Sequence, residues 1–324
     1  MGSKNRDFWY NEISLIMKTP TPHTVEKGSI RPFEVVQALV ALELADVDDP
    51  VLSYFDFFAD QVPVGAASFV HVLPKIDFFN DTSDRNTHPY EIDRDILRKM
   101  EVKIRERLPR ETSVYVEFDV REGNPLEEIL KDAEDISADL VVIGQRSETE
   151  THGILAKNLV RKVKGNALIV PDRTQADIKR VLIPIDFSAN SIRALQTAIA
   201  LNKRLHEPAQ LICMNVYDMP NLSIYKTGKT REQLKRMLEE DRNSAFKAFL
   251  HTYASELEDQ IQTVLIERDL PGIARYILEF SGDNGIDLIV MGAKGHSKVD
   301  LLLMGSVTEK LLTLNDKIPT MVVK

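Results

Sequence analysis

Between Val290 and Lys310 the chain reads VMGAKGHSKVDLLLMGSVTEK, and this segment holds the residues best suited to chemistry. Glycines 292, 295 and 305 follow an apolar run, and the third opens a segment of helical pattern beginning Ser306-Val307-Thr308. Glycine tolerates conformations and close approaches that a Cβ blocks. The first turn of a helix presents unpaired N–H groups and a partial positive charge. Ser306 and Thr308 add hydroxyl donors and Lys294 a mobile cation, so the set suits a phosphate-like anion. A plainer reading fits the same residues: Gly292 and Gly295 make a turn, and Gly305-Ser306 is an N-cap pair. The residues alone leave the two level. The spacing matches neither the mononucleotide loop G-x4-G-K-[ST] nor the dinucleotide pattern G-x-G-x-x-G.

No catalytic constellation stands beside this loop. His23, His71, His88, His152, His206, His251 and His296 lack metal-ligand spacing. His71 falls in a predicted strand and reads as structural. His296, inside the glycine loop, is placed to meet a phosphate or to set a pH dependence, against the simpler reading of an exposed loop residue. Asp48-Asp49 and Glu239-Glu240 read as exposed charges, and neither a G-x-S-x-G elbow nor a kinase signature set occurs. Cys213 is the only cysteine, which excludes an intrachain disulfide and reads as a small buried hydrophobe.

The elements that position the loop come in two copies. Ala138-Asp139-Leu140-Val141-Val142-Ile143-Gly144 matches Ile286-Asp287-Leu288-Ile289-Val290-Met291-Gly292, an offset of 148 from Ala138 to Ile286. Val120 to Pro125 matches Ile266 to Pro271 at 146, Ala38 to Glu43 matches Val181 to Asp186 at 143, and Ser68 to Val72 matches Ile212 to Val216 at 144. Four segments in one order at nearly constant offset describe two whole domains and not solenoid repeats. In the second copy the patterns predict strands at Arg180–Asp186, Gln210–Val216, Thr263–Glu267, Leu288–Gly292 and Thr320–Val323. Helices are predicted at Ala189–Leu205, Thr230–Leu257, Gly272–Gly282 and Ser306–Leu314. Short, continuously apolar strands alternating with helices imply a parallel sheet covered on both faces. The expectation is α/β: two tandem doubly wound domains, each a five-stranded, mainly parallel sheet flanked by helices. Residues 33–171 form the first domain and 176–324 the second, with Pro171–Gln175 as linker and 1–32 as an extended or disordered leader.

At this point a family resemblance becomes specific. Gly292, Gly295, Gly305 and Ser306 fit G-x2-G-x9-G-[ST], and the chain resembles the ATP-binding branch of the universal stress proteins. Val307-Thr308-Glu309-Lys310, the run Pro319 to Val323, and the opening Val181-Leu182-Ile183-Pro184-Ile185-Asp186-Phe187-Ser188 are similar to that family too. The resemblance implies an adenine nucleotide, ATP with AMP or ADP as alternatives, with Mg²⁺ as a possible companion. It implies that Asp186 lies near ribose and adenine, with Pro184, Ile185 and Ser188 on the same strand end. The backbone of Val216 would meet the adenine edge. Met291 and Gly292 would line the approach to ribose and phosphate, and Lys294, Gly295, Gly305, Ser306, Val307 and Thr308 would surround the phosphates. Asp186 and Ser188 are also natural caps for the helix beginning near Ala189.

The first copy departs from this pattern. Glu43 stands for Asp186 and Ala45 for Ser188, and Gln145, Arg146 and Ser147 follow Gly144. Aligning Leu155-Ala156-Lys157 with Met304-Gly305-Ser306 puts a Cβ at the Gly305 position and makes the loop one residue shorter, so no ATP site is expected there. Arg146 and Lys157 read as solvated charges. The family pairs domains through last strands, which here makes Ala167–Val170 and Thr320–Val323 the candidates for pairing within one chain, with a homodimer as a further possibility.

Bulk properties narrow the function. The 324 residues, 43% hydrophobic and 28% charged, are enough for about two domains. A net charge of -9 argues against sequence-independent nucleic-acid binding, which rests on Lys and Arg. No run approaches the roughly 18 apolar residues that a membrane helix needs, and Phe8–Met17 is interrupted by Asn11 and Glu12, so a cytoplasmic protein is expected. The expected function is a stress-response protein that binds nucleotide in its second domain and acts as a switch or interaction module on a protein partner. The alternatives are a slow ATPase or phosphotransferase using Asp186 and Mg²⁺, and a ligand-free scaffold.

Overall fold

A computed structural model describes residues 30–75, 89–108, 114–147, 153–220, 230–295 and 304–324. The expected leader therefore lies almost wholly outside the described residues, as do His23, His88, His152 and His296. The described strands are β1 (Val35–Leu42), β2 (Val64–Leu73), β3 (Tyr115–Glu122), β4 (Leu140–Gln145) and β5 (Asn166–Pro171) in the first repeat. In the second they are β6 (Arg180–Pro184), β7 (Gln210–Asp218), β8 (Gln262–Arg268), β9 (Leu288–Gly292) and β10 (Thr320–Val323). Between them run α1 (Asp48–Gln61), α2 (Pro89–Arg107), α3 (Pro125–Asp135), α4 (Ile154–Lys162), α5 (Ala189–Asn202), α6 (Arg231–Tyr253), α7 (Ile273–Asp283) and α8 (Ser306–Leu314).

Each repeat is an open, doubly wound parallel sheet, and the two are one sheet. The strand order is β3-β2-β1-β4-β5-β10-β9-β6-β7-β8. All pairings within a repeat are parallel, and β5 meets β10 antiparallel with Leu168 opposite Met321. The last strands thus pair within the chain, as the family resemblance implies. Both residues are fully buried at the seam. Helices α3, α4, α7 and α8 pack on one face around a core that includes Ile129, Leu159, Ile277 and Leu311. Burial on both faces accounts for the unbroken apolar runs of β4 and β9.

The repeated sequence segments have identifiable work. Asp139 accepts from the N–H groups of Val36 and Gln37, and Asp287 accepts from those of Lys179 and Arg180. The acid before the fourth strand therefore ties down the start of the first strand in both repeats. Asn124 caps α3, whose first residue is Pro125, and Thr230 with Gln233 closes a capping box on α6. The 146 offset of the third segment holds for its prolines but not for its strand. Arg121 pairs with Val72 and Ile266 with Val216, so the strand register runs at 145, from Arg121 to Ile266, and the extra residue lies in the turn before Pro271.

Candidate functional site

The β6–β7 ladder ends at Pro184 opposite Met214, followed by a bond of 2.7 Å from the Ile185 N–H to the Met214 carbonyl. Beyond it β7 continues to Asp218, two residues past the predicted end. On its other side β6 pairs with β9 only through Val181 and Leu182, while β9 runs on beside β10 to Gly292. A crevice therefore opens at the carboxyl end of β6, where strand order reverses and open α/β sheets hold ligands. Main-chain groups alternate in direction along a strand. Val216 points its N–H and C=O the same way as Met214, toward the side from which β6 has departed, so its backbone edge faces the crevice.

The chain leaves β6 through a tight turn. The Asp186 carboxylate accepts the Ser188 N–H at 3.0 Å, and Phe187 adopts a left-handed φ of 62°. That conformation is costly for a residue with a Cβ. The Phe187 ring is held edge-on against Phe246 and Phe249 of α6, at 5.1 and 5.5 Å between centroids. Ser188 is the N-cap of α5, its hydroxyl accepting from the Ser191 N–H. The capping role open to both residues thus belongs to Ser188, and the second carboxylate oxygen of Asp186 is turned toward the glycine loop. A Cβ on Gly295 would lie 2.7 Å from it.

The three glycines differ in what they permit. A Cβ on Gly292 would meet the Asn190 Cβ at 2.6 Å and the Asn190 carbonyl oxygen at 2.9 Å, so this glycine allows α5 to lie against β9. A Cβ on Gly305 would meet the Lys294 Cα at 3.2 Å and the Gly295 nitrogen at 3.3 Å, so the loop's two ends touch through backbone. The Gly305 N–H donates to the Ala293 carbonyl at 2.9 Å and fixes that contact. Gly305 is also the N-cap of α8 and brings no side chain to it. The Thr308 hydroxyl donates to the Gly292 carbonyl at 3.0 Å from a buried position, so its proton serves the loop's own structure. Ser306 is exposed, Val307 half-buried and Met291 buried at the end of β9. Residues 296–303, which include His296, lie outside the described residues.

One cluster escaped sequence reasoning. Asn215 is buried on β7, donates to the Ile185 carbonyl at 2.7 Å and accepts from Arg242 Nη1 at 3.0 Å. The Arg242 guanidinium stacks 5.0 Å over the Tyr217 ring, and burial pushes its pKa down. Helix α6 thereby braces the strand ends beside Asp186. The only sequence signal was Arg242 in a helix with an apolar stripe, which says nothing of a partner 27 residues earlier. His71 is structural as expected, its Nδ1 lying 2.9 Å from the Leu42 carbonyl. Cys213 is buried, and burial pushes its thiol up to about 12, which leaves it inert.

The first repeat keeps the turn and fills the cradle. Leu44 has a φ of 55° where Phe187 has 62°, so the backbone path is retained. Glu43 is paired with Arg146 at 2.6 Å, and Val51 and Val47 close over Gly144. Gly153, and not the expected Ala156, is the counterpart of Gly305: Gly153 is the N-cap of α4 as Gly305 is of α8, and each helix runs nine residues. Nine positions separate Gly144 from Gly153 and thirteen separate Gly292 from Gly305, so the first loop is four residues shorter, not one. Gly153 has a left-handed φ of 69°, and a Cβ there would lie 2.6 Å from the Leu312 carbonyl oxygen of the other repeat. Gln145 donates to the carbonyls of Leu312 and Asn315 at 3.0 and 2.8 Å. The region that surrounds the glycine loop in one repeat is a grip on α8 in the other.

Fold and site together define an open α/β protein whose loops gather at the carboxyl ends of parallel strands. The model of the universal stress protein family matches twice, over residues 39–171 and 177–324. The chain belongs to the universal stress protein family. It is 31% identical over 146 residues to a universal stress protein of Methanocaldococcus jannaschii, covering 45% of this chain and 82% of that one. It is 25% identical over 179 residues to one of Synechocystis sp., a match spanning 54% of each chain. A crystal structure of a universal stress protein from Archaeoglobus fulgidus covers 89% of this chain and 98% of its own, with a TM-score of 0.59 and 20% identity. A protein of unknown function from Pseudomonas aeruginosa covers 90% and 92%, with 0.58 and 12%. The last two are likenesses of fold. Among the described residues no helix is long and apolar enough to cross a membrane.

Proposed function

We propose that the second repeat, residues 176–324, binds ATP or a related adenine nucleotide and that the protein acts as a nucleotide-dependent switch toward a protein partner. The observation that carries this reading is the backbone contact of Gly305 with Lys294 and Gly295, set at the start of α8 and facing Asp186. A Cβ on any of these glycines would fill space the loop uses, and the α8 terminus favours anionic phosphate oxygens. The Val216 backbone edge, directed at the crevice, suits the hydrogen-bonding rim of adenine, and Asp186 is an acceptor for ribose hydroxyls. Mg²⁺ would be held chiefly by the nucleotide phosphates and water, with few protein ligands, as is usual for this ion. The switch follows from α8: its first turn borders the proposed phosphate site and its last carbonyls are held by Gln145 of the first repeat. The first repeat, residues 33–171, is assigned no nucleotide, because its loop is short and Glu43 already occupies Arg146.

Calorimetric titration with ATP and AMP, alongside mass spectrometry of nucleotide released from freshly purified protein, tests the reading. One nucleotide per chain is expected, and Asp186→Asn is expected to weaken binding by about tenfold, the loss of roughly one charge-assisted hydrogen bond. Zero or two sites per chain would sink it. Single-turnover phosphate release, measured on the same samples, is expected to stay negligible; turnover lost in Asp186→Asn would instead make the protein an ATPase.

A further inference from the structure

At the outer edge of the first repeat, between α3 and β3, lies a cavity of about 420 Å³. Strand alternation and the β2–β3 register put Ser68, Glu117, Asp119 and Arg121 on the face that lines it, with Asp132 reaching in from α3. The Asp132 side chain is only 5% exposed. Its Oδ1 lies 2.8 Å from Arg121 Nη2, which also lies 2.9 Å from Asp119 Oδ2. Both Asp132 carboxylate oxygens are buried without a well-directed hydrogen bond among the described residues, so Arg121 meets Oδ1 as an ion pair only, and Arg121 Nε is likewise unsatisfied. The lining thus holds one guanidinium and three carboxylates, those of Glu117, Asp119 and Asp132, and Arg121 is paired with the last two. Burial pushes the Asp132 pKa up against the pull of Arg121.

The fold does not require charge at this place. The same register in the second repeat puts Ile212 where Ser68 stands, Val264 where Asp119 stands and Ile266 where Arg121 stands. Matching the buried Ile129 and Ala133 of α3 to Ile277 and Ser281 of α7 puts Phe280 at the Asp132 position. One repeat fills this layer with hydrocarbon and the other with ions, of which Asp132 is buried while Arg121 and Asp119 are partly exposed; a buried carboxylate is costly unless its pairing is complete.

The geometry points to a binding site for a small organic cation, carrying a primary ammonium or guanidinium group, in this cavity of the first repeat. Such a group brings N–H donors to a site rich in acceptors: Asp132 Oδ2 at the back, Asp119 and the Ser68 hydroxyl along the wall, and Glu117 at the exposed rim. Its hydrocarbon part lies against Ile136, which also lines the cavity. No group of three metal-ligating side chains forms among the described residues, which favours a cation that brings hydrogen-bond donors over a bare metal ion.

Titration of the full-length protein with putrescine and with agmatine, followed by calorimetry and ligand-observed NMR, tests the site. Saturable binding with a Kd below about 1 mM is expected for at least one probe. Asp132→Phe, which places the second repeat's residue at this one position, is expected to weaken binding more than tenfold, and Glu117→Gln is expected to weaken it several-fold. ATP binding should be the same in all three proteins, so this proposal and the nucleotide reading fail separately. If Asp132→Phe does not fold, Asp132→Asn with Glu117→Gln keeps the cavity's shape and removes two of its charges, with the same loss expected. The absence of saturable binding by either probe, binding that survives these substitutions in folded protein, or displacement of the amine by an equal concentration of Mg²⁺ would overturn the assignment.

Discussion

At Gly292 the neighbours of a would-be Cβ are the Asn190 Cβ and backbone, and at Gly305 they are the backbone of the loop itself. The two substitutions should therefore separate stability from binding. Gly292→Ala forces α5 away from β9 and is expected to cost about 1–3 kcal/mol in urea denaturation without nucleotide, as overpacking does. Gly305→Val is expected to cost less than that and to weaken ATP binding at least tenfold, because its Cβ would press on the Lys294 and Gly295 backbone at 3.2 and 3.3 Å, a looser contact than at Gly292, while filling the cradle. Equal effects of the two on binding would remove the distinction. Thr308 belongs with Gly292: its hydroxyl is committed to the Gly292 carbonyl, so Thr308→Val should cost about 1 kcal/mol and change affinity only as the loop loosens.

Helix α8 is held at both ends by different repeats. Its first turn borders the glycine loop, and the carbonyls of Leu312 and Asn315 at its far end accept from the buried Gln145 amide. Gln145→Ala leaves two buried carbonyls without that donor, a loss of about 1–3 kcal/mol on denaturation. If α8 relays between the proposed nucleotide site and the first repeat, the same variant shows a smaller ATP-induced rise in melting temperature than its lowered starting point explains. An unchanged rise would make α8 a passive strut. The turn after the first strand is a shared element of another kind. Leu44 and Phe187 both take left-handed φ values, so the repeats keep a strained backbone path while only one keeps the acid before it.

Across the whole molecule the antiparallel seam of β5 and β10 turns two five-stranded sheets into one of ten. A second junction joins the segment before β1 to α5 and the turn after it, where the Phe33 N–H donates to the Ala200 carbonyl and Arg204 donates to the Phe33 carbonyl. Scanning calorimetry of the intact chain is expected to show one transition. Each repeat expressed alone would expose β5 or β10 as an unpaired apolar edge, and sedimentation should find dimers or larger species. Lys324 sits at the seam with its ammonium on the Val160 carbonyl. Burial, with a smaller push from Lys294, brings its pKa down to about 8 from 10.5. The unfolded chain then binds the proton more tightly, so this lysine's destabilisation is full below pH 8 and relieved as pH rises from about 8 toward 10.5. Lys324→Met should flatten that part of the stability profile.

Apolar runs and glycine spacing were enough to determine β9, β10 and α8 to the residue, because strands buried on both faces and a helix following glycine leave unambiguous patterns. They fell short at β7 and β8 and overran at β6 and α5. Ile185 and Asp186 continue the apolar and acidic pattern of β6 but leave the ladder, and α5 stops at Asn202 where a periodic pattern ran on to Leu205. The proposed site was legible as a list of residues, since glycines, a strand-end acid and a helix start are local features. Tertiary structure alone decided what each residue does: which glycine touches α5 and which the loop, that Ser188 caps and Asp186 does not, and that Arg242 braces Asn215. It also moved the first repeat's counterpart of Gly305 from Ala156 to Gly153, a shift hidden by a four-residue deletion in a loop. Local sequence encodes local backbone preference and burial period. Contacts between segments far apart in the chain depend on register and packing, which no single stretch of sequence contains.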